Sequence, residues 1–431
     1  MFVLRGIVFC FLAVAVTGTP SLATAHRSAG KLDPAFSKDG KLTTSFPEPV
    51  ALAEDLALQD DGKIIVAGSA GDSVGTPYLR PSSFAMVRYR KNGRIDRSFG
   101  ERGRMLASFG GGAYGNAVAT QPDGKLIVTG WVLNGSPASS DTNQINFALA
   151  RFDREGRLDT TFGDNGLVSY DIAQQVGLAP DLDQGRDVAV QADGKIVVAA
   201  DAADRGGFAL RFQPDGSPDP TFSNDGIVEG PASSYRSIAV QADGALLLAG
   251  RYSNLPNADL ALARLDSNGE LDSSFAGNGL VTTDVAGAVQ EVAEQVAIAS
   301  DGRILLLGTS CQFGGCAVDL VRYTIDGALD PSLSNGGLLS LPGDADHPSV
   351  MTLNGAQPIV ASESNGVVLR RFKQDGTLDR SFSRDGKAVS KFGLAVSPAG
   401  LAVTSKGRLV MAGTFSTDRP RGFALARYLL R

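Results

Sequence analysis

Apolar residues along this chain fall into short runs separated by polar, glycine-rich breaks. Typical runs are "RDVAVQ", "GKIVVAA", "FALRF" and "GLVSYDI". Each spans about 5–7 residues and is rich in Val, Ile and Leu, which is strand length and composition and not helix length. The breaks are turn chemistry. "QADG" joins the first two runs and "QPDGSPDPTFSNDG" the last two, with Asp-Gly supplying the positive φ that tight turns need. The pattern predicts antiparallel strands in groups of four, called A to D here in chain order.

The groups repeat. A unit written "LDPAFSKDG" at its first occurrence returns as "IDRSFGERG", "LDTTFGDNG", "PDPTFSNDG", "LDSSFAGNG", "LDPSLSNGG" and "LDRSFSRDG", placing its Asp at Asp33, Asp96, Asp159, Asp219, Asp272, Asp330 and Asp379. Periods of about 50–60 residues are those of propellers and solenoids, and four antiparallel strands per period make one propeller blade. A strands are expected to begin near Glu54, Asn116, Arg186, Arg236, Glu294, His347 and Ala399. Strand D follows the repeated unit, so the last group, ending in "FALARYLLR", lacks one. The copy at the N-terminus, "LDPAFSKDGKLTTSF", stands free to supply it. The expected fold is therefore all-β: a seven-bladed propeller with four antiparallel strands per blade, its last blade closed by the N-terminal strand. Closure of this kind pairs both edges that would otherwise stay open. A column of small residues, Ala57, Ala119, Ala189, Ala239, Ala297 and Ala402, suits blades that taper toward an axis. Blade six has lost the Asp-Gly turn in "HPSVMTLNGAQPIVAS", which leaves its register open by one residue.

The segments "VQADGKIVVAA…FALRFQPDG" and "FALARFDREGRLDTTFGDNGLV" resemble the delta-60 repeat family, bacterial repeats regarded as propeller-forming. The resemblance extends over nearly all of residues 32–431. It implies the fold and brings no catalytic residues with it.

Composition refines the picture at the ends. Arg5, the run "GIVFCFLAVAV" and the small residues Ala23 and Ala25 read as a signal peptide over residues 1–25, followed by a short segment 26–31 and the propeller at 32–431. The apolar run is short for a membrane span, so the expectation is an exported protein, periplasmic or extracellular, without an integral span once the signal is cleaved. With 40 basic against 46 acidic residues, a nucleic-acid partner is disfavoured. Cys10 leaves with the signal, and Cys311 and Cys316 in "SCQFGGC" are expected to form a local disulfide.

Candidate chemistry is sparse. Arg88, Arg151, Arg211, Arg264, Arg322, Arg371 and Arg427 recur ahead of the repeated Asp residues and read as structural ion pairs. The Phe of the repeated unit reads as a core plug. The turns do not match a calcium loop, so no metal is expected and no cofactor. His26 and His347 are the two histidines of the chain, and no H-E-x-x-H or phosphate loop is present. Strand alternation puts the near-identical A–B and C–D turns on one face and the variable B–C and D–A loops on the other. Those loops carry Tyr78, Tyr114, Trp131, Tyr235, Tyr252 and Phe313. At the mouth of the channel on that face the inner strands are expected to gather Glu54, Asp55, Asn116, Arg186, Asp187, Arg236, Ser237, Glu294 and Gln295. The sequence thus points to a monomeric binding or scaffold module for a protein, peptide or glycan. The alternative is a propeller hydrolase or lyase using acids and arginines at the channel mouth.

Overall fold

The computed structural model describes residues 29–71, 83–133, 145–177, 182–202, 206–254, 256–285, 287–312, 315–342, 349–416 and 421–431. Residues 1–25, His26, His347, Tyr78 and Phe313 lie outside these residues. Among the described residues, 28 strands form seven four-stranded antiparallel sheets. The strand β1 (Lys41–Thr44) is first in the chain and joins the last sheet. Blade one is β2 (Val50–Leu58), β3 (Ile64–Gly71), β4 (Ser83–Tyr89) and β5 (Arg104–Ala107). Blade two is β6 (Ala113–Thr120), β7 (Leu126–Leu133), β8 (Ile145–Phe152) and β9 (Leu167–Tyr170). The short helix α1 (Ile172–Gln175) leads to blade three: β10 (Asp183–Val190), β11 (Ile196–Ala202), β12 (Gly206–Phe212) and β13 (Ile227–Glu229). Blade four is β14 (Ser234–Val240), β15 (Leu246–Asn254), β16 (Asn257–Leu265) and β17 (Leu280–Thr283). Blade five is β18 (Gln290–Ile298), β19 (Ile304–Gln312), β20 (Gly315–Tyr323) and β21 (Leu338–Pro342). Blade six is β22 (Ser349–Asn354), β23 (Gln357–Ser364), β24 (Gly366–Arg371) and β25 (Lys387–Ser390). Blade seven is β26 (Ala395–Val403), β27 (Arg408–Ser416), β28 (Arg421–Leu429) and β1.

Closure follows the sequence expectation. β1 pairs antiparallel with β28, with Leu42 opposite Leu425 and Thr44 opposite Phe423. Asp33 accepts from Arg427 Nε at 3.0 Å and from Arg408 Nε at 3.1 Å, and Phe36 is fully buried. Apolar cores lie between blades, not within them. One joins Ile65, Phe84 and Phe99 of blade one to Val118, Leu126 and Val128 of blade two. The alanine column sits in these seams, with Ala57 facing blade two while Leu56 faces blade seven.

The repeated Arg and Asp form one interlock at every seam, with the Phe present in all blades but the fifth. Arg211 Nε donates to Asp219 at 2.6 Å, Nη2 to Thr221 Oγ1 at 3.0 Å, and Nη1 to the Ser267 carbonyl of blade four at 2.6 Å. Its guanidinium stands 4.5 Å over the Phe222 ring, a cation–π contact. The glycine of the neighbouring turn lies against that ring: Gly269 has φ +91°, and a Cβ there would come within 2.9 Å of Phe222. Arg88, Arg151, Arg264 and Arg371 repeat the arrangement over Phe99, Phe162, Phe275 and Phe382. In blade five Leu333 replaces the Phe beside Arg322, and the ion pair to Asp330 stays at 2.8 Å.

Six inner strands start earlier than the hydrophobic pattern suggests, at Val50, Ala113, Asp183, Ser234, Gln290 and Ala395, while that of blade six is described from Ser349. The alternation is interrupted because six of these strands carry a β-bulge, described next. Blade six has none: β22 pairs with β23 without a register shift, and Asn354 faces Gln357 across a turn through Gly355.

Candidate functional site

The first strand of each blade contacts the first strand of its neighbour around the complete ring, so these strands line the axis. Their ladders slip between Ala53 and Asp55, Gly115 and Ala117, Gly185 and Asp187, Tyr235 and Ser237, Ala293 and Gln295, and Pro398 and Gly400. The residues left out of the ladder are Glu54, Asn116, Arg186, Arg236, Glu294 and Ala399. A bulge frees one residue from pairing and re-aims its side chain, a device common beside functional sites. Five of these six positions are residues that the sequence places at the channel mouth.

The residue after the bulge does different work. Asp55 accepts from Val118 N of blade two at 2.9 Å. Asp187 accepts from Ile238 N of blade four at 2.9 Å and from Ser237 Oγ at 2.8 Å. Ser237 Oγ accepts from Val296 N of blade five at 3.2 Å, and Gln295 Oε1 from Met351 N of blade six at 2.5 Å. Asn116 Nδ2 bridges blades two and three by donating to Gly185 O at 2.7 Å. Ser397 reaches Glu363 across blades six and seven, and Thr414 Oγ1 accepts from Ala53 N at 2.8 Å across blades seven and one. The result is a belt of hydrogen bonds that joins every seam. Burial pushes the Asp55 carboxyl up to about 8 against the pull of the Val118 amide, and burial raises Asp187 likewise. Asp55, Asn116, Asp187 and Gln295 are therefore engaged with the main chain of the next blade.

Glu54, Arg186, Arg236 and Glu294 remain. Arg186 Nε donates to Asp201 at 2.9 Å. Arg236, one blade on, feels the positive charges of Arg186 and Arg251 and the negative ones of Glu294 and Asp201. Desolvation, with repulsion from Arg186, lowers the Arg236 pKa, and its buried Nε has no hydrogen-bond partner. Burial raises Glu294, with Arg236 and Arg186 pulling the other way. Across the ring, Tyr114 hydrogen-bonds Glu54 and stacks on Trp131, with ring centres 5.7 Å apart. Burial holds the Glu54 carboxyl up at about 7, partly offset by the Tyr114 hydroxyl.

Two clefts open from these groups toward the B–C and D–A loops. One of 670 Å³ lies between blades three and four and includes Asp201, Glu229, Arg236 and Arg251. The other, of 520 Å³, touches blades one, six and seven and includes Glu54, Glu363, Ala399 and Arg421. Asp201, Arg251 and Glu363 escaped the sequence reading. They sit on second strands, so no count from the A–B turns reaches them. A signal was present, because each puts a charge where its run is otherwise apolar or small, as in "LLLAGRYSN". Cys311 and Cys316 are joined by a disulfide across β19 and β20. Among the described residues no cluster of His, Cys, Asp and Glu could hold a metal, and no helix is long and apolar enough to cross a membrane.

This architecture defines a seven-bladed β-propeller repeat protein. A family described as "Domain of unknown function (DUF5122) beta-propeller" matches residues 59–99, 121–162, 191–222 and 241–275. No curated protein matches the chain. Among solved structures, a virginiamycin B lyase from Staphylococcus aureus, crystallised with quinupristin, is similar at 11% identity and a TM-score of 0.51, covering 90% of this chain and 98% of its own. A polysaccharide lyase of the PL25 ulvan lyase family is similar at 10% identity and a TM-score of 0.52, covering 92% of this chain and 95% of its own. At such identities the likeness is one of fold.

Proposed function

We propose that the protein is an exported, monomeric binding module of the delta-60 repeat type, with residues 1–25 as its signal peptide and 32–431 as its propeller. Its ligand is a protein, peptide or glycan held on the variable-loop face, with Arg186, Arg236, Glu294 and Glu54 at the channel mouth as its polar anchors. The observation that supports this most is Arg236, whose buried Nε has no partner, beside an Arg186 that is paired with Asp201. A buried donor left unpaired costs free energy that a ligand can recover. Probing glycan and peptide arrays with the exported protein tests the reading. Capture by the native chain, lost in Arg236→Gln at unchanged melting temperature, is the expected result. Capture that survives Arg236→Gln moves the site elsewhere.

The second reading is a propeller enzyme, a hydrolase or lyase. Glu54 favours it: a carboxyl at about 7 beside a tyrosine hydroxyl is poised for proton transfer. The two fold relatives named above are lyases. Turnover of a captured ligand that Glu54→Gln abolishes, with capture retained, would favour this reading.

A further inference from the structure

Resting on the channel-mouth reading, we infer that the cleft between blades three and four is a subsite for an acidic saccharide, whose carboxylate or sulfate group is held by Arg236 and Arg251. Both guanidinium groups line this cleft, and each has a buried Nε without a hydrogen-bond partner. They come from adjacent strands of one blade, Arg236 at the bulge of β14 and Arg251 on β15. Arg186 lies close enough for its charge to act on Arg236. Among the described residues, neither Arg236 nor Arg251 has a salt-bridge partner, whereas Arg186 is paired with Asp201 at 2.9 Å. Arg236 feels the like charges of Arg186 and Arg251 as well as the opposite charges of Glu294 and Asp201, and a bound anion would add to the latter. The forked donors of arginine match the paired oxygens of carboxylate and sulfate.

The remaining lining selects the carrier. Ser233, Ser234 and Ser253 line the cleft together with Gly206, Gly230 and Pro231. Hydroxyls and small residues suit a polyhydroxylated ring, while a peptide would need apolar pockets for its side chains. The volume, 670 Å³, is that of a small-ligand site. Two carboxylates share the lining, Asp201, already paired with Arg186, and Glu229, which is exposed at the rim. Glu229 therefore opposes the anion and limits its affinity.

The test is calorimetric titration of the intact exported protein with four probes: a uronic acid tetrasaccharide, a sulfated tetrasaccharide, their neutral counterpart and a tetrapeptide of glutamate. The expected result is binding of one or both acidic saccharides at least tenfold tighter than of the neutral one and the peptide. Arg251→Gln should lose at least tenfold in that affinity at an unchanged melting temperature, Arg251→Lys should recover only part of it, and Glu229→Gln should tighten binding two- to threefold. The uronate and sulfate arms separate the two anions. Equal affinity for the neutral saccharide, or a preference for the peptide, overturns this inference and leaves the channel-mouth reading standing if Arg236→Gln abolishes that binding. Acidic binding unaffected by Arg251→Gln also overturns it. If no saccharide or peptide binds, here or on the arrays, both fall.

Discussion

Asp219 shows how much one repeated residue carries. It is fully buried, as is nearly all of its partner Arg211, which is 3% exposed. Burial alone would raise its pKa, but hydrogen bonds from Lys195 and Thr221 and the charge of Arg211 outweigh that and hold it well below the usual range. Asp96 is held at about 2 in the same way, with burial opposed chiefly by Ser98 and Arg88. Removing one partner leaves a buried charge unpaired, so Asp219→Ala should cost roughly 3–5 kcal/mol, readable by urea unfolding. A loss below about 1 kcal/mol would mean that the interlock is ornamental. The same logic applies to Arg186, whose removal strands Asp201, so replacing it is not structurally silent. Glu54 works in the opposite sense. Its native pKa of about 7 lies above its ordinary 4.5, so its contribution is complete at low pH and is lost as pH rises through 7. The lowered carboxylates have already ionised by about pH 5 and add no slope above it. The melting temperature should fall between about pH 5 and pH 8, and less steeply in Glu54→Gln. Identical slopes in the two proteins would show that Glu54 is not held protonated.

At the scale of elements, β1 closes the ring. Deleting residues 26–46 removes Asp33, the buried Phe36 and the whole edge partner of β28. Loss of the Phe36 side chain alone is worth about 3–5 kcal/mol, and the bared edge invites aggregation. Lower thermal stability with aggregation is expected by scanning calorimetry and light scattering; a truncated chain that melts like the intact one would mean that another strand closes the ring. This closure was legible in the sequence because the free "LDPAFSKDG" copy and the missing final strand are two halves of one observation. The blade count was legible for a similar reason, since every blade repeats its Arg and Asp, and the Phe and the Asp-Gly turn recur in most of them. The bulges were only half legible. A break in alternation at Glu54, Asn116, Arg186, Arg236 and Glu294 read as a strand start, because a sequence shows the interruption and not whether pairing resumes beyond it. Their neighbours Asp55, Asp187 and Gln295 read as channel groups for the same reason. Only the positions of Val118, Ile238 and Met351 in adjacent blades show that those side chains point into the seams. The charge of Arg251 was visible in its run, but its meeting with Arg236 was not, because that depends on cross-strand register.

For the whole molecule, repetition and variation are sorted onto opposite faces. The interlocks occupy the hairpin face, where a cleft of 460 Å³ between blades one and two is bordered by Asp61, Lys63, Arg88 and Arg154, groups already serving the seam. The bulged channel residues open the other way, toward loops free to differ. If residues 1–25 are a signal peptide, N-terminal sequencing of the exported protein should begin at His26; a chain that still starts at Met1 would contradict export by that route. The disulfide at β19 and β20 belongs to the same variable face. Closing so small a loop is worth about 2 kcal/mol, so Cys311→Ser with Cys316→Ser should lower the melting temperature modestly and leave the fold intact.

The central claim is that ligand enters at the channel mouth, and the chain carries its own reporter there. Trp131 is the one tryptophan of the sequence, half-buried, and stacked on the Tyr114 that hydrogen-bonds Glu54. The measurement is Trp131 emission during titration with any ligand captured on the arrays, in the native protein and in Arg236→Gln. The account predicts a saturable change in emission with the same midpoint as calorimetry, absent from the variant. A ligand that binds by calorimetry equally well in Arg236→Gln while Trp131 emission stays flat would place the site away from the channel mouth and contradict the account.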